Sequence, residues 1–376
     1  MRLTTLLLIL FIAVPATAID APVPAPPPVP GSAYFLMDFQ SGQVIASKNP
    51  DQRTEPASIT KLMTAYIAFS AIANGTLALD EQVTVSNKAY RAEGSRMFIE
   101  ERKRVAVEDL LQGMIIQSGN DASIALAEHI AGSEETFAEL MNQYAERLGL
   151  TGTSYENSTG LPGETHLSTP HDIAMLTAAL IREFPDYYRW YSHREYTYNG
   201  ITQHNRNTLL WRDDSVDGVK TGHTDSAGYC LVASAHRDGT RLISVVMGTS
   251  SQKARADATQ ALLNYGFRFY ETHSLYDAGV PITSAKVWKG DNREVQLGVR
   301  DQIYVTIPRG HYESLRAEMD LKSIIVAPVT PDSKVGMIRV SLGDKEITSS
   351  ALYPLEPVAA GSIFRRAIDE VMLWFE

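Results

Sequence analysis

Apolar residues recur at helical spacing from residue 62 onward and give the first strong structural signal in the chain. They are Leu62, Met63, Tyr66, Ile67 and Phe69. Pro56 lies just before this run, and proline suits the first turn of a helix. The pattern therefore predicts a helix that begins near residue 56 and continues into a hydrophobic core.

Strand-like runs lie on both sides of a mainly helical middle segment. Two pairs of apolar runs, each separated by a short polar turn, predict two hairpins. Between these pairs, residues 136–148 show an amphipathic helical stripe, and residues 254–269 predict a closing helix. Strands at both ends with helices between them predict an α+β domain built on one antiparallel sheet. The hairpin strands are residues 34–38 with 44–47, and residues 229–235 with 241–247.

After residue 276 the pattern changes to short β-rich runs separated by turn residues. These runs predict a small all-β domain over residues 276–358, which follows a first domain over residues 32–275. The second domain contains no chemical motif. Its expected strands are residues 285–288, 294–297, 303–307, 324–326 and 337–342.

The last segment, residues 361–376, predicts an amphipathic helix with Ser362 as its N-cap. At about 1.5 Å per residue this helix is about 23 Å long, and charged residues interrupt it, so it is unfit to span a bilayer. Two positions remain open: it lies in a membrane interface, or it docks on the β-domain. Its apolar stripe consists of Ile363, Phe364, Ala367, Ile368, Val371, Met372 and Phe375.

Composition and the N-terminal segment limit the class of protein and indicate its cellular compartment. The formal net charge of −10 argues against nucleic acid as a partner. Residues 1–18 combine a positive charge, an apolar run and a small-residue cleavage signal, which predicts a signal peptide. Residues 19–31 contain six prolines and predict an extended leader. The only cysteine, Cys230, cannot form an internal disulfide and is expected to be a small buried hydrophobe.

Three short motifs carry the candidate chemistry. Ser58 and Lys61 form a Ser-x-x-Lys pair at the start of the first predicted helix, where the lysine amine can approach the serine hydroxyl. A Ser-Gly-Asn motif at residues 118–120 lies between two helical patterns, and a Lys-Thr-Gly motif at residues 220–222 precedes a buried strand. Each motif alone is a weak signal, but the three together in this order are a strong one.

In these motifs the sequence resembles the serine penicillin-recognising enzymes, and specifically the low-molecular-mass D-alanyl-D-alanine carboxypeptidases. The likeness extends through residues 117–122, 206–211 and 216–222 and covers nearly the whole mature chain. It implies a β-lactamase-like catalytic domain in which the active site lies between an antiparallel sheet and a helical subdomain. It also implies removal of the terminal D-alanine from peptidoglycan pentapeptide stems, inhibition by β-lactams, and a periplasmic enzyme attached by its terminal helix to the outer face of the cytoplasmic membrane.

The expected mechanism follows from the needs of a serine nucleophile. A serine hydroxyl requires a base, and the spacing of the histidines suggests no Ser/His/Asp set. We therefore expect Ser58 to be the nucleophile and Lys61 to be the base, with its pKa lowered by burial and by the proximity of Lys220. Ser118 is expected to relay a proton to the leaving amine, and Asn120 to orient the substrate amide. No metal or cofactor is expected.

The terminal carboxylate of the substrate needs a cationic site. The Lys-Thr-Gly motif and the residue after it supply part of that site, and the resemblance places a carboxylate-binding arginine at Arg255. Two positions depart from the family pattern: His223 stands where threonine or serine is more usual, and Thr159 stands where histidine can occur. The expected substrate-binding residues are Asn120, Lys220, Thr221, Gly222, His223 and Arg255.

Three other functions remain open from the sequence. A class A β-lactamase shares the motifs but adds a glutamate that activates the deacylating water, and Glu164 is the nearest candidate, without the surrounding pattern. A non-catalytic receptor would be acylated by β-lactams but would release no D-alanine. A D,D-endopeptidase would use the same nucleophile on cross-linked peptides.

Overall fold

The computed structural model describes residues 23–375, and the predicted signal peptide, residues 1–18, lies outside the described residues. The helices are α1 (Lys61–Ala73), α2 (Asn87–Tyr90), α3 (Val107–Ile116), α4 (Asn120–Ala131), α5 (Glu134–Arg147), α6 (Pro170–Glu183), α7 (Pro185–Tyr188), α8 (Gln252–Phe269) and α9 (Ile363–Met372). The strands are β1 (Ala33–Asp38), β2 (Val44–Lys48), β3 (Gln82–Thr84), β4 (Arg104–Ala106), β5 (Glu195–Tyr198), β6 (Ile201–His204), β7 (Val216–Thr224), β8 (Gly228–Arg237), β9 (Thr240–Thr249), β10 (Tyr270–Tyr276), β11 (Thr283–Lys286), β12 (Glu294–Gly298), β13 (Ile303–Pro308), β14 (Leu315–Leu321), β15 (Gly336–Leu342) and β16 (Lys345–Pro354).

A five-stranded antiparallel sheet forms the centre of the first domain, in the order β2-β1-β9-β8-β7. Its hairpins β1–β2 and β8–β9 are those that the sequence predicts. The Lys-Thr-Gly motif was expected just before a strand, but it lies within β7 itself. Among the described strands, β7 pairs with β8 alone, so this motif lies on an edge of the sheet.

Helices cover both faces of the sheet, which confirms the predicted α+β class. One hydrophobic cluster joins the sheet to α1, α3, α4, α5 and α6, and a second cluster packs α8 on the opposite face. Every residue of α1 from Lys61 to Phe69 is buried. Because these residues are apolar nearly all round and not on a single stripe, α1 lies inside the helical part of the domain.

The start of α1 differs from the helix that the sequence predicts. Residues Ala57–Thr60 form a 3₁₀ turn, and the α-helix begins at Lys61. The Ile59 N–H donates to the Pro56 carbonyl at 3.1 Å. Such tight turns are common at helix N-termini. Ser58 therefore lies in a separate turn, directly before the helix that carries Lys61.

Serine hydroxyls set the beginnings of several helices. Ser133 caps α5, Ser251 caps α8 and Ser362 caps α9, each by accepting a hydrogen bond from the N–H three residues later. The helices predicted over residues 136–148 and 254–269 are confirmed, and each begins two residues earlier than expected. The predicted cap at Ser362 is also present.

Residues 23–30 of the proline-rich segment pack on the first domain, and residues 19–22 lie outside the described residues. Val23 and Val29 contact the hydrophobic cluster that includes α8. The Tyr265 hydroxyl donates to the Pro24 carbonyl at 2.8 Å. Residues 23–30 form neither helix nor strand, as their prolines predict, but the valines between the prolines supply apolar side chains for packing. The packed structure therefore begins before residue 32, the expected start of the globular part.

The second part of the chain is β-rich, as predicted. Strands β11 to β16, without β13, form an antiparallel sheet in the order β11-β12-β16-β15-β14. Strand β13 pairs instead with β10, which begins at Tyr270, before the expected boundary at residue 276. The strand expected over residues 324–326 is wrong, since only Val326 forms an isolated bridge, with Trp288. Ile324 and Val326 are exposed, so their apolar pattern marks a surface loop around one buried side chain.

Helix α9 docks on the β-domain through polar side chains. The buried Asp369 carboxylate accepts a hydrogen bond from the Lys289 N–H at 2.6 Å, and Glu370 pairs with the Lys289 ammonium. The Arg365 guanidinium donates to the Asp291 carbonyl at 2.9 Å. The helix thus contacts its own domain while its apolar stripe stays exposed. Within residues 23–375, the structure contains no helix with the length and apolar character needed to cross a membrane.

A buried carboxylate connects the two domains. Asp38, at the end of β1, accepts hydrogen bonds from the Ser41 N–H at 2.7 Å and from the Thr272 hydroxyl at 2.8 Å. The Thr306 hydroxyl contacts the hydroxyls of Ser41 and Thr272 at 2.6 and 2.8 Å. Thr272 lies on β10 and Thr306 on β13, so this network joins the first hairpin to the first strand pair of the β-domain.

We expect Asp38→Ala to lower the free energy of unfolding by about 1–3 kcal/mol, because three partly buried donors, the Ser41 N–H and the hydroxyls of Ser41 and Thr272, lose their acceptor. Urea unfolding followed by circular dichroism measures the change. Asp80→Ala is the matched control, since Asp80 is exposed and its replacement should alter stability little. Equal stabilities for the two variants would contradict the structural role of Asp38.

Candidate active site

A cleft of about 390 Å³ lies between the edge strand β7 and the helical part of the first domain. It contains most of the residues that the sequence selects. Lys61 and Lys220 are buried beside it, and all three motifs therefore meet in one place. The expected residues that line the cleft are Ser58, Ser118, Asn120, Thr221, Gly222, His223 and Arg255.

The buried Lys61 amine is the centre of this arrangement. Its Nζ donates to Ser58 Oγ at 3.1 Å, to Asn120 Oδ1 at 2.6 Å and to the Thr159 carbonyl at 2.5 Å. The contact with Thr159 is made through the backbone, so the side-chain type at this position does not enter it. Three acceptors from separate parts of the chain thus direct one amine toward the Ser58 hydroxyl.

Burial is the main cause of a low pKa at Lys61. Burial, assisted by Arg206 and opposed by the carboxylates of Asp121 and Glu134, lowers the pKa of Lys61 to about 7. The sequence suggested Lys220 as the neighbouring cation that lowers the pKa of Lys61. Burial, assisted by Lys61, Arg206 and Arg255, lowers the pKa of Lys220 well below its usual value. The neighbouring cation that lowers the pKa of Lys61 is Arg206.

Ser118 lies on the short connection between α3 and α4, where the sequence predicts it. Its backbone has a φ of 69°, and such left-handed conformations of non-glycine residues often occur at functional sites. Its buried Oγ has no hydrogen-bond partner among the described residues. Asn120 begins α4, and its Nδ2 donates to the Glu93 carbonyl at 2.6 Å. The Ser118 hydroxyl is thus available to a group in the cleft, whereas the Asn120 amide already holds Lys61.

Two glycines allow close approach to the turn that carries Ser58. A Cβ atom at Gly222 on β7 would lie 2.9 Å from the Pro56 carbonyl oxygen. At Gly160, where φ is 84°, a Cβ atom would lie only 1.8 Å from the Ala57 carbonyl oxygen. Larger residues at either position would separate these segments. The glycines therefore bring β7 and the loop of residues 156–166 against the turn that carries Ser58.

Arg255 and His223 lie where the cleft meets β7 and α8. The Arg255 guanidinium donates to the carbonyls of Gly222 at 3.1 Å and Cys230 at 3.4 Å. Burial lowers the pKa of Arg255 to about 10. The exposed His223 ring packs against Tyr229, with ring centroids 3.9 Å apart. Both residues line the cleft, so each is accessible to a ligand there.

Several lining residues fall outside the set that the sequence selects. Arg206 lines the cleft, and its position is fixed by Asn207, whose Nδ2 donates to the Gly218 carbonyl at 2.9 Å. The available signal was the Arg-Asn pair within the family resemblance. Gly94 and Ser95 also line the cleft but had no sequence signal, because they belong to an irregular loop.

Asp121 holds that irregular loop against the site. Its carboxylate accepts hydrogen bonds from three consecutive backbone N–H groups. The Asn120 N–H also donates to the Ser95 carbonyl at 2.7 Å. The start of α4 therefore positions both Asn120 and the opposite wall of the cleft. The three donors to Asp121 are Met97 at 3.0 Å, Phe98 at 2.9 Å and Ile99 at 3.3 Å.

The charge of the cleft suits an anionic ligand. Arg206 and Arg255 line it, and among the described lining residues there is no aspartate or glutamate. Such a one-sign cleft attracts a carboxylate. Glu164, the candidate for a deacylating glutamate, is exposed and is not a lining residue. The structure thus gives no support to a class A β-lactamase arrangement at that residue.

Comparisons with known proteins agree with this fold and this cleft. A family model described as D-alanyl-D-alanine carboxypeptidase matches residues 21–251, and one described as penicillin-binding protein 5, C-terminal domain, matches residues 270–360. The chain is 40% identical to D-alanyl-D-alanine carboxypeptidase DacA of Escherichia coli, over 94% of this chain and 90% of that protein.

Solved structures give the same result. Penicillin-binding protein 5 from Haemophilus influenzae has a TM-score of 0.87 at 39% identity, covering 89% of this chain and 99% of that one. Penicillin-binding protein D2 from Listeria monocytogenes, in its ampicillin-bound form, has a TM-score of 0.59 at 30% identity, covering 64% of this chain and 98% of that one.

Fold and motifs together define a penicillin-recognising serine enzyme, with a sheet-and-helix domain followed by a β-rich domain. Within that class, the chain belongs to the D-alanyl-D-alanine carboxypeptidase family, and its reaction is the serine-type carboxypeptidase reaction.

The low pKa of Lys61 predicts how acylation depends on pH. A base must be neutral to accept the serine proton, so we expect the rate of acylation by a fluorescent penicillin to rise with pH through about 7 and to level off above it. Timed labelling between about pH 5 and about pH 9 measures this profile. Thermal unfolding at each pH controls for loss of the fold. A rate that stays constant over this range would contradict Lys61 as the base.

Proposed function

We propose that Ser58, Lys61 and Ser118, in the domain of residues 32–275, remove the terminal D-alanine from peptidoglycan pentapeptide stems. One observation carries the proposal: a buried lysine amine with a pKa of about 7 lies 3.1 Å from a serine hydroxyl. At neutral pH a large fraction of this amine is unprotonated and can act as a base.

Acylation begins when the neutral Lys61 amine takes the proton from Ser58 Oγ. The oxygen attacks the carbonyl carbon of the penultimate D-alanine, and backbone N–H groups, including that of Ser58, stabilise the negative charge on the carbonyl oxygen. When the carbonyl re-forms, the C–N bond breaks. The leaving amine takes a proton that passes from the Lys61 ammonium through the Ser118 hydroxyl, and free D-alanine departs.

Deacylation uses the same groups on a water molecule. Neutral Lys61 accepts a proton from water while the water oxygen attacks the ester carbonyl carbon. The ester C–O bond breaks, and the proton returns to Ser58 Oγ. The products are the shortened peptide, with a new terminal carboxylate, and the free enzyme.

The cationic end of the cleft supports recognition of a terminal carboxylate. Arg255, His223 and Thr221 line it, and Lys220 lies buried beside them. An approaching carboxylate favours the protonated form of Lys220. We assign Asn120 to the substrate amide, which would share Oδ1 with Lys61. A requirement for a free carboxylate favours carboxypeptidase over endopeptidase activity.

β-Lactams are proposed as covalent inhibitors of the same serine. They combine an acyl carbon and a carboxylate, the two groups that the cleft is suited to bind. The ampicillin-bound structure of penicillin-binding protein D2 from Listeria monocytogenes supports this step by similarity. Acylation by a β-lactam would use Ser58 and Lys61 in the same roles as acylation by the peptide.

We expect Ser58→Ala to abolish both D-alanine release from a pentapeptide and covalent labelling by a fluorescent penicillin, because both reactions acylate the same oxygen. Ser70→Ala, on α1 but outside the cleft, is the matched control and should retain both activities. Persistent labelling of the Ser58 variant would refute the nucleophile. A wild-type protein that is labelled but releases no D-alanine would indicate a receptor.

We also propose that the protein is exported and attached through α9 to the outer face of the cytoplasmic membrane. The polar side chains of α9 dock on the β-domain, so the apolar stripe of α9 has no partner within the described chain. Phe364 on α9 is 84% exposed, and Trp374 and Phe375, just after the helix, are 79% and 87% exposed. An apolar face of this kind suits the interface of a bilayer. Acidic residues in α9 balance its arginines, so the attachment depends on apolar area.

We expect Trp374→Ser combined with Phe375→Ser to weaken binding to lipid vesicles strongly, while D-alanine release stays unchanged. Co-sedimentation with zwitterionic and with anionic vesicles measures binding, and the loss should be similar on both because apolar burial dominates. Trp211→Ser is the matched control, since Trp211 is an exposed tryptophan outside residues 361–376. Unchanged binding of the double variant would place the attachment elsewhere.

A further inference from the structure

His166 is a buried histidine beside the cleft, and the reaction described above does not use it. Its side chain lies at the end of the loop of residues 156–166 and is 1% exposed. Its Nδ1 accepts a hydrogen bond from the Glu156 N–H at 3.0 Å, and its Nε2 lies 2.8 Å from Thr60 Oγ1. Because Nδ1 accepts from a backbone N–H, the neutral ring carries its proton on Nε2 and donates to Thr60.

The ring therefore bridges two segments that both contact the Lys61 amine. Thr60 is the last residue of the 3₁₀ turn that carries Ser58. Glu156 begins the segment that leads to Thr159, whose carbonyl accepts from Lys61 Nζ at 2.5 Å. One imidazole thus joins the segment with the nucleophile to the segment with an acceptor of the base.

Other contacts of the loop run in different directions. Ser158 Oγ donates to Glu134 on α5 at 2.7 Å. The Ser158 carbonyl accepts from Thr64 on α1 at 2.8 Å and from Ser123 on α4 at 2.7 Å. These bonds fix the loop to the helices, whereas His166 fixes it to the turn that carries Ser58. The two sets of contacts therefore attach the loop to different parts of the domain.

The surroundings keep the His166 ring neutral. Burial lowers the pKa of His166 to about 4, and Lys61 acts in the same direction. The carboxylates of Glu156, Glu55 and Glu134 oppose this shift. At neutral pH the ring can therefore donate at Nε2 and accept at Nδ1 at the same time.

We propose that His166 is a positioning residue that holds the Thr159 carbonyl and the Ser58 turn at a fixed separation, so that the Lys61 amine stays directed at Ser58 Oγ. The inference rests on the roles of Ser58 and Lys61 proposed above. His166 contacts neither the substrate nor the Ser58 hydroxyl. It acts through Thr60 and through the Glu156 backbone.

Loss of the bridge has two expected effects on the chemistry. A small displacement of the base from the nucleophile lowers the acylation rate, and a shift of about 1 Å can cost up to about 100-fold. Displacement of the Thr159 carbonyl also removes an acceptor that favours the charged ammonium over the neutral amine. The pKa of Lys61 then falls, and the acidic limb of the acylation profile moves to lower pH.

His166→Phe and His166→Gln separate packing from hydrogen bonding. Phenylalanine fills the ring volume but makes neither hydrogen bond, whereas glutamine keeps a donor for Thr60. We expect His166→Phe to lower the limiting acylation rate by about 10-fold or more and to move the acidic limb to lower pH. KM for the pentapeptide should stay within about twofold, since the carboxylate site is intact. His166→Gln should recover most of the rate.

Thr60→Val tests the same bond from its other end. It is expected to reproduce the loss of rate, and the double variant with His166→Phe should lose much less than the product of the two single effects. His204→Phe, an exposed histidine on β6, is the matched control and should behave as wild type. If His166→Phe fails to fold, the Thr60 and glutamine variants give the same test.

A folded His166→Phe with a wild-type rate and pH profile would overturn the positioning role, as would single effects that multiply fully in the double variant. A lower melting temperature with unchanged kinetics would indicate a purely structural histidine and would also overturn it. These outcomes differ from failure of the nucleophile assignment. That failure would appear as labelling of Ser58→Ala, whatever the His166 variants do.

Discussion

The burial of one amine constrains the whole catalytic domain. Lys61 is 1% exposed, and its Nζ is held by acceptors from the turn that carries Ser58, the start of α4 and the loop after α5. A buried ammonium is costly, and the cost falls when the amine gives up its proton. The same desolvation that opposes stability therefore favours the neutral amine that the proposed mechanism needs. A site of this kind exists only when all three segments are in place.

Local patterns were sufficient for much of this scaffold. The hairpins, α5 and α8 follow from apolar periodicity and from serine caps, which act over a few residues. The meeting of the three motifs followed from the family resemblance. The 3₁₀ turn at Ser58 did not follow from either, since Gly160 and Gly222 shape it from distant parts of the chain. Arg206 and residues 94–95 were not selected as site residues from the sequence, because the long-range hydrogen bonds of Asn207 and Asp121 place them.

Amphipathic patterns also have a limit, which α9 illustrates. Its stripe indicated a helix correctly, but periodicity does not reveal which face meets the protein. The usual expectation is that the apolar face is buried. Here Asp369 accepts the Lys289 N–H, and the polar side docks instead. The loop at residues 324–326 shows a related limit. Its apolar run predicted a strand, although two of its three residues are exposed.

The pairing of β1 with β9 has a consequence for folding. Ala33 is the partner of Met247, so the central sheet joins the first strand of the chain to one made more than 200 residues later. Contacts this distant in sequence slow folding, because a long loop must close before they form. A chain that emerges N-terminus first exposes the β1–β2 hairpin with one flank unpaired until β9 arrives. During that interval the hairpin offers open backbone groups to other chains, so efficient maturation depends on keeping the growing polypeptide apart from its neighbours.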